Sequence, residues 1–106
     1  MTTRQIVAEL DISPEARQDL VEIRLFSLEQ FGPDIADAYF LGFDQAFDRL
    51  AHHPHVGVPK PELGTGVRCL VHRRHRIFYI IDGGVVVIVR IIHHARDLNS
   101  ALKKLT

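Results

Sequence analysis

The stretch "VVVIVRII", residues 85–92, constrains the fold more than any other part of the chain. Apart from Arg90, a strand built from it is apolar on both alternating faces, which predicts a central strand. Arg90 shares a face with Val86, Ile88 and Ile92 in regular alternation. A lone arginine there either marks a functional surface or ties the sheet to a carboxylate, because arginine is rarely buried without a partner.

A central strand needs neighbours, and the chain offers them. Val67 to Val71 and His75 to Ile81 are rich in β-branched and aromatic residues. Asp82-Gly83-Gly84 joins the second of these to Val85 and predicts a tight hairpin, since glycine accepts the positive φ such turns need. Ile6 to Ile12 alternates loosely and predicts a first strand. Ser13-Pro14-Glu15 then starts a helix. Serine caps free N–H groups, proline suits the first helical position, and glutamate complements the positive end of the dipole. Ala16, Leu20, Ile23 and Ser27 lie on one helical face, and Gly32-Pro33 ends that helix and begins another. Ile35, Tyr39, Phe43, Ala46 and Leu50 continue the helical period as far as His52-His53-Pro54. Pro54 to Gly66 holds three prolines and three glycines and is expected to be a loop. Asp97 to Leu105 is expected to form a short terminal helix with Lys103 and Lys104 in its last turn. The plan is α+β: a helical hairpin packed on a small, mainly antiparallel sheet, in the order β-α-α-β-β-β with a short C-terminal helix.

A length of 106 residues fits one domain, residues 1–106, with one modest core. The apolar fraction of 46% and charged fraction of 25% exclude a disordered chain. No apolar run reaches the roughly 18 residues a bilayer span requires. Met1 to Glu9 lacks the plan of a signal peptide, and the single cysteine forms no internal disulfide, so a cytoplasmic protein without membrane association is expected. A net charge of zero conceals a split. Residues 1–54 carry ten acids and four bases, a net of −6, and residues 55–106 carry three acids and nine bases, a net of +6. An acidic face and a basic face follow.

The unbroken run His72-Arg73-Arg74-His75-Arg76 is the densest positive charge in the sequence. Its first four residues straddle two strands, so they form either a solvated hairpin end or part of a binding surface. Arg68 and Arg76 stand within apolar strands and are stronger candidates for contact with a partner. Phe78 and Tyr79 fit sheet packing, and Cys69 fits a small buried apolar position. The histidines at 52, 53, 55, 93 and 94 invite a metal, yet adjacent histidines on a strand point to opposite faces, and no patterned Cys/His/Asp set accompanies them. No metal and no other cofactor is expected. "GTG" at 64–66 is followed by a strand rather than a helix, unlike a phosphate loop.

Taken in order, the Ser-Pro helix start, the break at Gly32-Pro33, the loop "HPHVGVPKPELGTGVR", and the strands "RHRIFYII" and "IVRIIHHARD" resemble the ParE toxins of bacterial toxin–antitoxin pairs, within the RelE-like superfamily. The resemblance runs from about Leu10 to Leu102; His94 departs from it, since many relatives have glycine there. It implies a RelE-like fold and a toxin that inhibits DNA gyrase. It also implies a hetero-oligomer with a ParD-like antitoxin, whose disordered tail folds along the toxin as a helix and a strand. Arg68, Arg76, Tyr79, Arg90, His93 and Arg96 are the expected partner-binding residues, and Arg73 is expected in an exposed turn. Catalytic residues and direct nucleic-acid binding are not expected. The alternatives are a ribosome-dependent ribonuclease of the RelE-like branch and a non-toxic binding module. A ribonuclease needs a base, an acid and cations at the phosphate, for which His75 or His93 with Arg68 and Arg74 are available. Against it stand the neutral total charge and a C-terminal "NSALKKLT" that lacks a tyrosine or an acid–histidine set.

Overall fold

The computed structural model describes residues 8–95. Strand β1 (Glu9–Ile12) leads into helices α1 (Pro14–Phe31) and α2 (Pro33–His52), followed by β2 (Val58–Pro59), a single 3₁₀ turn (Pro61–Leu63), β3 (Arg68–His72), β4 (His75–Asp82) and β5 (Val85–His93). The strands form one sheet in the order β1-β5-β4-β3-β2, with β1 parallel to β5 and every other pair antiparallel. The helical hairpin covers one face. This is the α+β plan expected, with β5 in the interior between β1 and β4. Ile6 and Val7 of the expected first strand, and the expected helix from Asp97 to Leu105, lie outside the described residues.

Local rules explain the breaks between elements. Ser13 Oγ accepts the Ala16 N–H at 3.0 Å and donates to the Val89 carbonyl at 3.0 Å, so one hydroxyl both caps α1 and pins it to β5. Gly32 has φ of 85° between the two helices, and its N–H closes α1 on the Leu28 carbonyl. Gly83 and Gly84 both have positive φ, 56° and 82°, as a two-residue hairpin between paired Asp82 and Val85 demands. The Pro54–Gly66 segment is more ordered than expected. Val58 and Pro59 pair with Cys69 and Arg68 to form a two-residue edge strand, too short for periodicity to reveal and placed where proline is tolerated.

The main core joins Ala16, Phe43 and Leu50 of the helices to Leu70, Ile77, Tyr79, Val86, Ile88 and Ile91 of the sheet. A smaller cluster of Val67, Cys69, Phe78 and Ile92 lies on the opposite face. Tyr79 pairs with Ile88 but Phe78 pairs with Arg90, so β5 carries one extra residue, Val89, at this point. This bulge corrects the expected alternation. Past it the faces exchange: Ile91 joins Val86 and Ile88 under the helices, while Ile92 turns to the other side.

Candidate functional site

The two ends of the sheet are built differently. At the end near the 54–57 loop Tyr79 and Arg68 are committed to backbone groups. Tyr79, fully buried, donates its hydroxyl to the Pro54 carbonyl at 2.6 Å and accepts the Gly57 N–H at 2.8 Å. Arg68 Nη1 donates to the carbonyls of His55 at 3.0 Å and Gly57 at 2.7 Å. A Cβ on residue 57 would sit 2.6 Å from the Tyr79 hydroxyl and 3.0 Å from the Cys69 carbonyl, so only glycine lets the loop lie this close. Tyr79 thus departs from the surface position expected of a partner-binding residue: it is 0% exposed, in the core. Arg68 acts as a clamp on the loop.

Arg90 takes the second of its two expected roles and ties the sheet to a carboxylate. Its Nε and Nη2 donate to Asp19 Oδ2 at 2.8 Å and Oδ1 at 3.0 Å, a two-pronged ion pair. Asp19 Oδ2 also accepts the Ile91 N–H at 2.8 Å. Pairing of β1 with β5 stops at Ile12 and Ile88, and α1 supplies the acceptor that a longer β1 would have given. The Asp19 side chain is only 7% exposed, and Arg90 at 21% is the cation that permits this burial.

At the other end the sheet opens into a groove of about 800 Å³ between the helical hairpin and the strand ends. Ile23 and Phe26 of α1, Phe31 at its end, Ile35 and Tyr39 of α2 and Ile91 of β5 form its apolar walls, with Arg74, His75 and His93 on one rim and Asp19 and Glu22 on the other. Phe26, Phe31 and Ile35 are 61%, 60% and 56% exposed. Ile35 thus leaves the core face on which the helical period placed it.

The basic run resolves into two kinds of residue. Arg73 and Arg74 form the exposed tip of the β3–β4 hairpin, with Arg73 in the left-handed region at φ of 53°. His72 and His75 do not join the solvated hairpin end. They pair across the strands and pack on α2, where the His72 ring lies 4.8 Å from Phe43 and the His75 ring 5.6 Å from Tyr39. Gly42 of α2 makes room for this, since a Cβ there would meet the His72 ring at 2.6 Å. Among the described residues, His72 Nε2 is the buried side-chain polar atom without a hydrogen-bond partner. Burial lowers the His72 pKa, and the charge of Arg73 adds to this. His75 Nδ1 shares a 2.6 Å hydrogen bond with the Tyr39 hydroxyl. Burial first, then the neighbouring histidines, lower its pKa to about 4, so the ring is neutral near pH 7. His93 accepts the Ala95 N–H on Nδ1 at 3.1 Å and is also shifted down, chiefly by desolvation and then by His94 and Arg74.

The structure thus brings His75, His93 and Arg74 together and leaves Arg68 at the far end of β3. Arg76 lies half-buried in β4 opposite Val71 and Ile92, and Arg96 lies outside the described residues. His94 needs no glycine-like backbone: its N–H donates to the Arg74 carbonyl at 2.8 Å, and its φ is not positive. Sequence reasoning missed Asp19, Phe26, Phe31 and Gly42. Gly42 carried a signal, as an isolated glycine inside a helical period marks a close approach. Among the described residues no three His, Cys, Asp or Glu side chains gather to hold a metal ion, and no helix is long and apolar enough to cross a membrane.

Comparison with known proteins agrees with this architecture. The chain is similar to Toxin ParE1 of Caulobacter vibrioides, with 29% identity over 91 residues that cover 86% of this chain and 94% of that protein. Its fold is that of a chain in the chromosomal ParDE toxin–antitoxin system of P. aeruginosa, with a TM-score of 0.71, 22% identity, and coverage of 82% of this chain and 96% of that one. A chain of the RelBE2 toxin–antitoxin complex of Mycobacterium tuberculosis gives a TM-score of 0.61 and 27% identity, covering 90% of this chain and 100% of that one. A sequence profile for the ParE toxin of the type II toxin–antitoxin system parDE matches residues 10–98, and the chain belongs to that family of toxins.

Proposed function

We propose that this toxin arrests growth by binding DNA gyrase without enzymatic chemistry, and that a ParD-like antitoxin silences it by laying an apolar segment in the groove. The groove carries the antitoxin part of this reading. Its walls hold three side chains more than half exposed, an arrangement a solitary protein has no reason to keep and an amphipathic helix fits well. Arg74 on the rim would steer acidic groups of such a segment. Family membership and solved relatives that are toxin–antitoxin complexes support the partner.

A second reading, metal-free RNA cleavage, is favoured by one observation: His75, His93 and Arg74 line the same groove. Acid–base cleavage requires one protonated and one neutral group at working pH. Here both imidazoles are shifted down, so neither is the protonated partner, and Tyr39 already occupies His75 Nδ1. Inhibition by binding is the better fit. Inducing the protein in growing bacteria, while following transcript integrity and the DNA-damage response, separates the two. A damage response with intact transcripts is expected, and rapid transcript cleavage without DNA damage would remove the gyrase assignment.

A further inference from the structure

The groove leaves one apolar surface unused. On α1 the residues directed to the core are Ala16, Asp19, Leu20, Ile23 and Ser27. Val21, Leu25 and Leu28, spaced by four and three, fall on the opposite side of the same helix. Val21 is 51% and Leu25 62% exposed, and Leu41 of α2 is 58% exposed. The Arg24–Asp37 bridge at 2.9 Å ties the two helices together, and Arg24 also lies over the Phe40 ring at 5.3 Å. Counting one turn from each end of the bridge in this hairpin sets Leu41 level with Val21. The aliphatic side chains therefore stand on a braced platform. A contiguous exposed apolar patch with a polar rim marks an interaction site, whereas single exposed aliphatics do not.

The rim tells what would cover it. Gln18, Glu22 and Glu29 flank the stripe on α1, and Asp34, Asp37, Asp44 and Asp48 follow the line of Leu41 on α2 at spacings of three and four; all are exposed. From Pro14 to His52 the chain has eight acids and three bases among its Asp, Glu, Lys and Arg residues, a net of −5. Such a rim repels an acidic peptide, and it repels the same face of a second copy. It suits a cationic surface with apolar side chains at its centre.

We propose that this outer face of the helical hairpin is the surface with which the toxin meets its cellular target, and that its occupant is a cationic patch on that target protein. The inference rests on the toxin reading and assigns the two partners to separate surfaces: antitoxin in the groove, target on the outer hairpin face. Only growth inhibition, and not antitoxin binding, should then depend on the outer residues.

Two variants test this: D34N/D44N/D48N, which removes charge, and L25Q/L41Q, which removes apolar surface. All five positions are exposed, and D34E/D44E/D48E serves as the charge-preserving control. Each is induced in cells over a range of inducer, and each purified protein is titrated with the antitoxin, melted and sized by gel filtration. The expected result is growth inhibition weakened about tenfold or more in the first two variants and retained in the control, with antitoxin affinity and melting unchanged. Undiminished inhibition in both variants would overturn the proposal. So would a parallel loss of antitoxin binding, which would give the face to the antitoxin. A wild-type oligomer that the variants dissociate would give it to a second copy and overturn it too. Because growth is the readout, a toxin that spares gyrase in a supercoiling assay refutes the proposed target and leaves this assignment standing.

Discussion

Two tyrosines stand at opposite ends of the sheet and differ in what their hydroxyls hold. Tyr79 is fully buried, and its hydroxyl joins the 54–57 loop to the core through two hydrogen bonds. Tyr39 is half-buried, shares its hydroxyl with a neutral histidine and lines an open groove. The closed end spends its polar groups on the fold. The open end leaves apolar side chains exposed and keeps charge at the rim. Residue type alone does not separate an open surface from a brace; the commitments of its polar atoms do.

Asp19 belongs to both ends of this contrast, because it lines the groove while bracing the sheet. Asp19→Ala strands the Arg90 charge and the Ile91 N–H together, so a loss of about 3–4 kcal/mol is expected in denaturant unfolding. A cost under 1 kcal/mol would mean that the Asp19–Arg90 pair does not brace the sheet.

Acid should strike the open end next. His75 has an unfolded pKa of about 6.5 and a folded pKa near 4, so the unfolded chain takes up the proton first as pH falls. Its contribution is fully present above about pH 6.5 and is lost between there and about pH 4, by up to about 3 kcal/mol. His72 and His93 shift in the same direction and add to the loss. Unfolding of the wild type and of His75→Gln across this range checks it, and the variant should show the shallower slope. An identical slope would place the pH sensitivity elsewhere.

A matched pair of substitutions compares the tyrosines themselves. Tyr79→Phe leaves the Gly57 N–H and the Pro54 carbonyl without their buried partner and should cost about 2 kcal/mol. Tyr39→Phe, next to an open groove where water can replace the hydroxyl, should cost about 1 kcal/mol or less. Equal costs would erase the distinction between the ends.

Much of this fold was legible from short-range chemistry. The Ser13-Pro14 start, the Gly32-Pro33 break and the Gly83-Gly84 turn each depend on a few neighbouring residues, and each stands where the sequence placed it. The antiparallel run from β3 to β5 was readable from β-branched composition. What escaped is long-range. The Arg90 partner is 71 residues away, and the two options for Arg90 could be separated only by knowing which helix face arrives at β5. The bulge at Val89 comes from pairing rather than from local preference, so alternation set Ile91 and Ile92 on the wrong faces. Tyr79 looked like a partner contact because nothing local reveals that Gly57 and Pro54 close over its hydroxyl. The groove escaped for a similar reason. Phe26 and Phe31 lie off the helical face that marks the core, and only the packing of the hairpin against the strands makes one surface of them.

Ile35→Asp decides whether the groove at the open end seats the antitoxin. Ile35 is 56% exposed and lines the groove, so a carboxylate there should leave melting nearly unchanged while placing charge against an apolar partner. Titration of the purified cognate antitoxin should show affinity reduced by about 2 kcal/mol or more, roughly thirtyfold. Affinity equal to that of the wild type, with the fold intact, would place the antitoxin away from the groove.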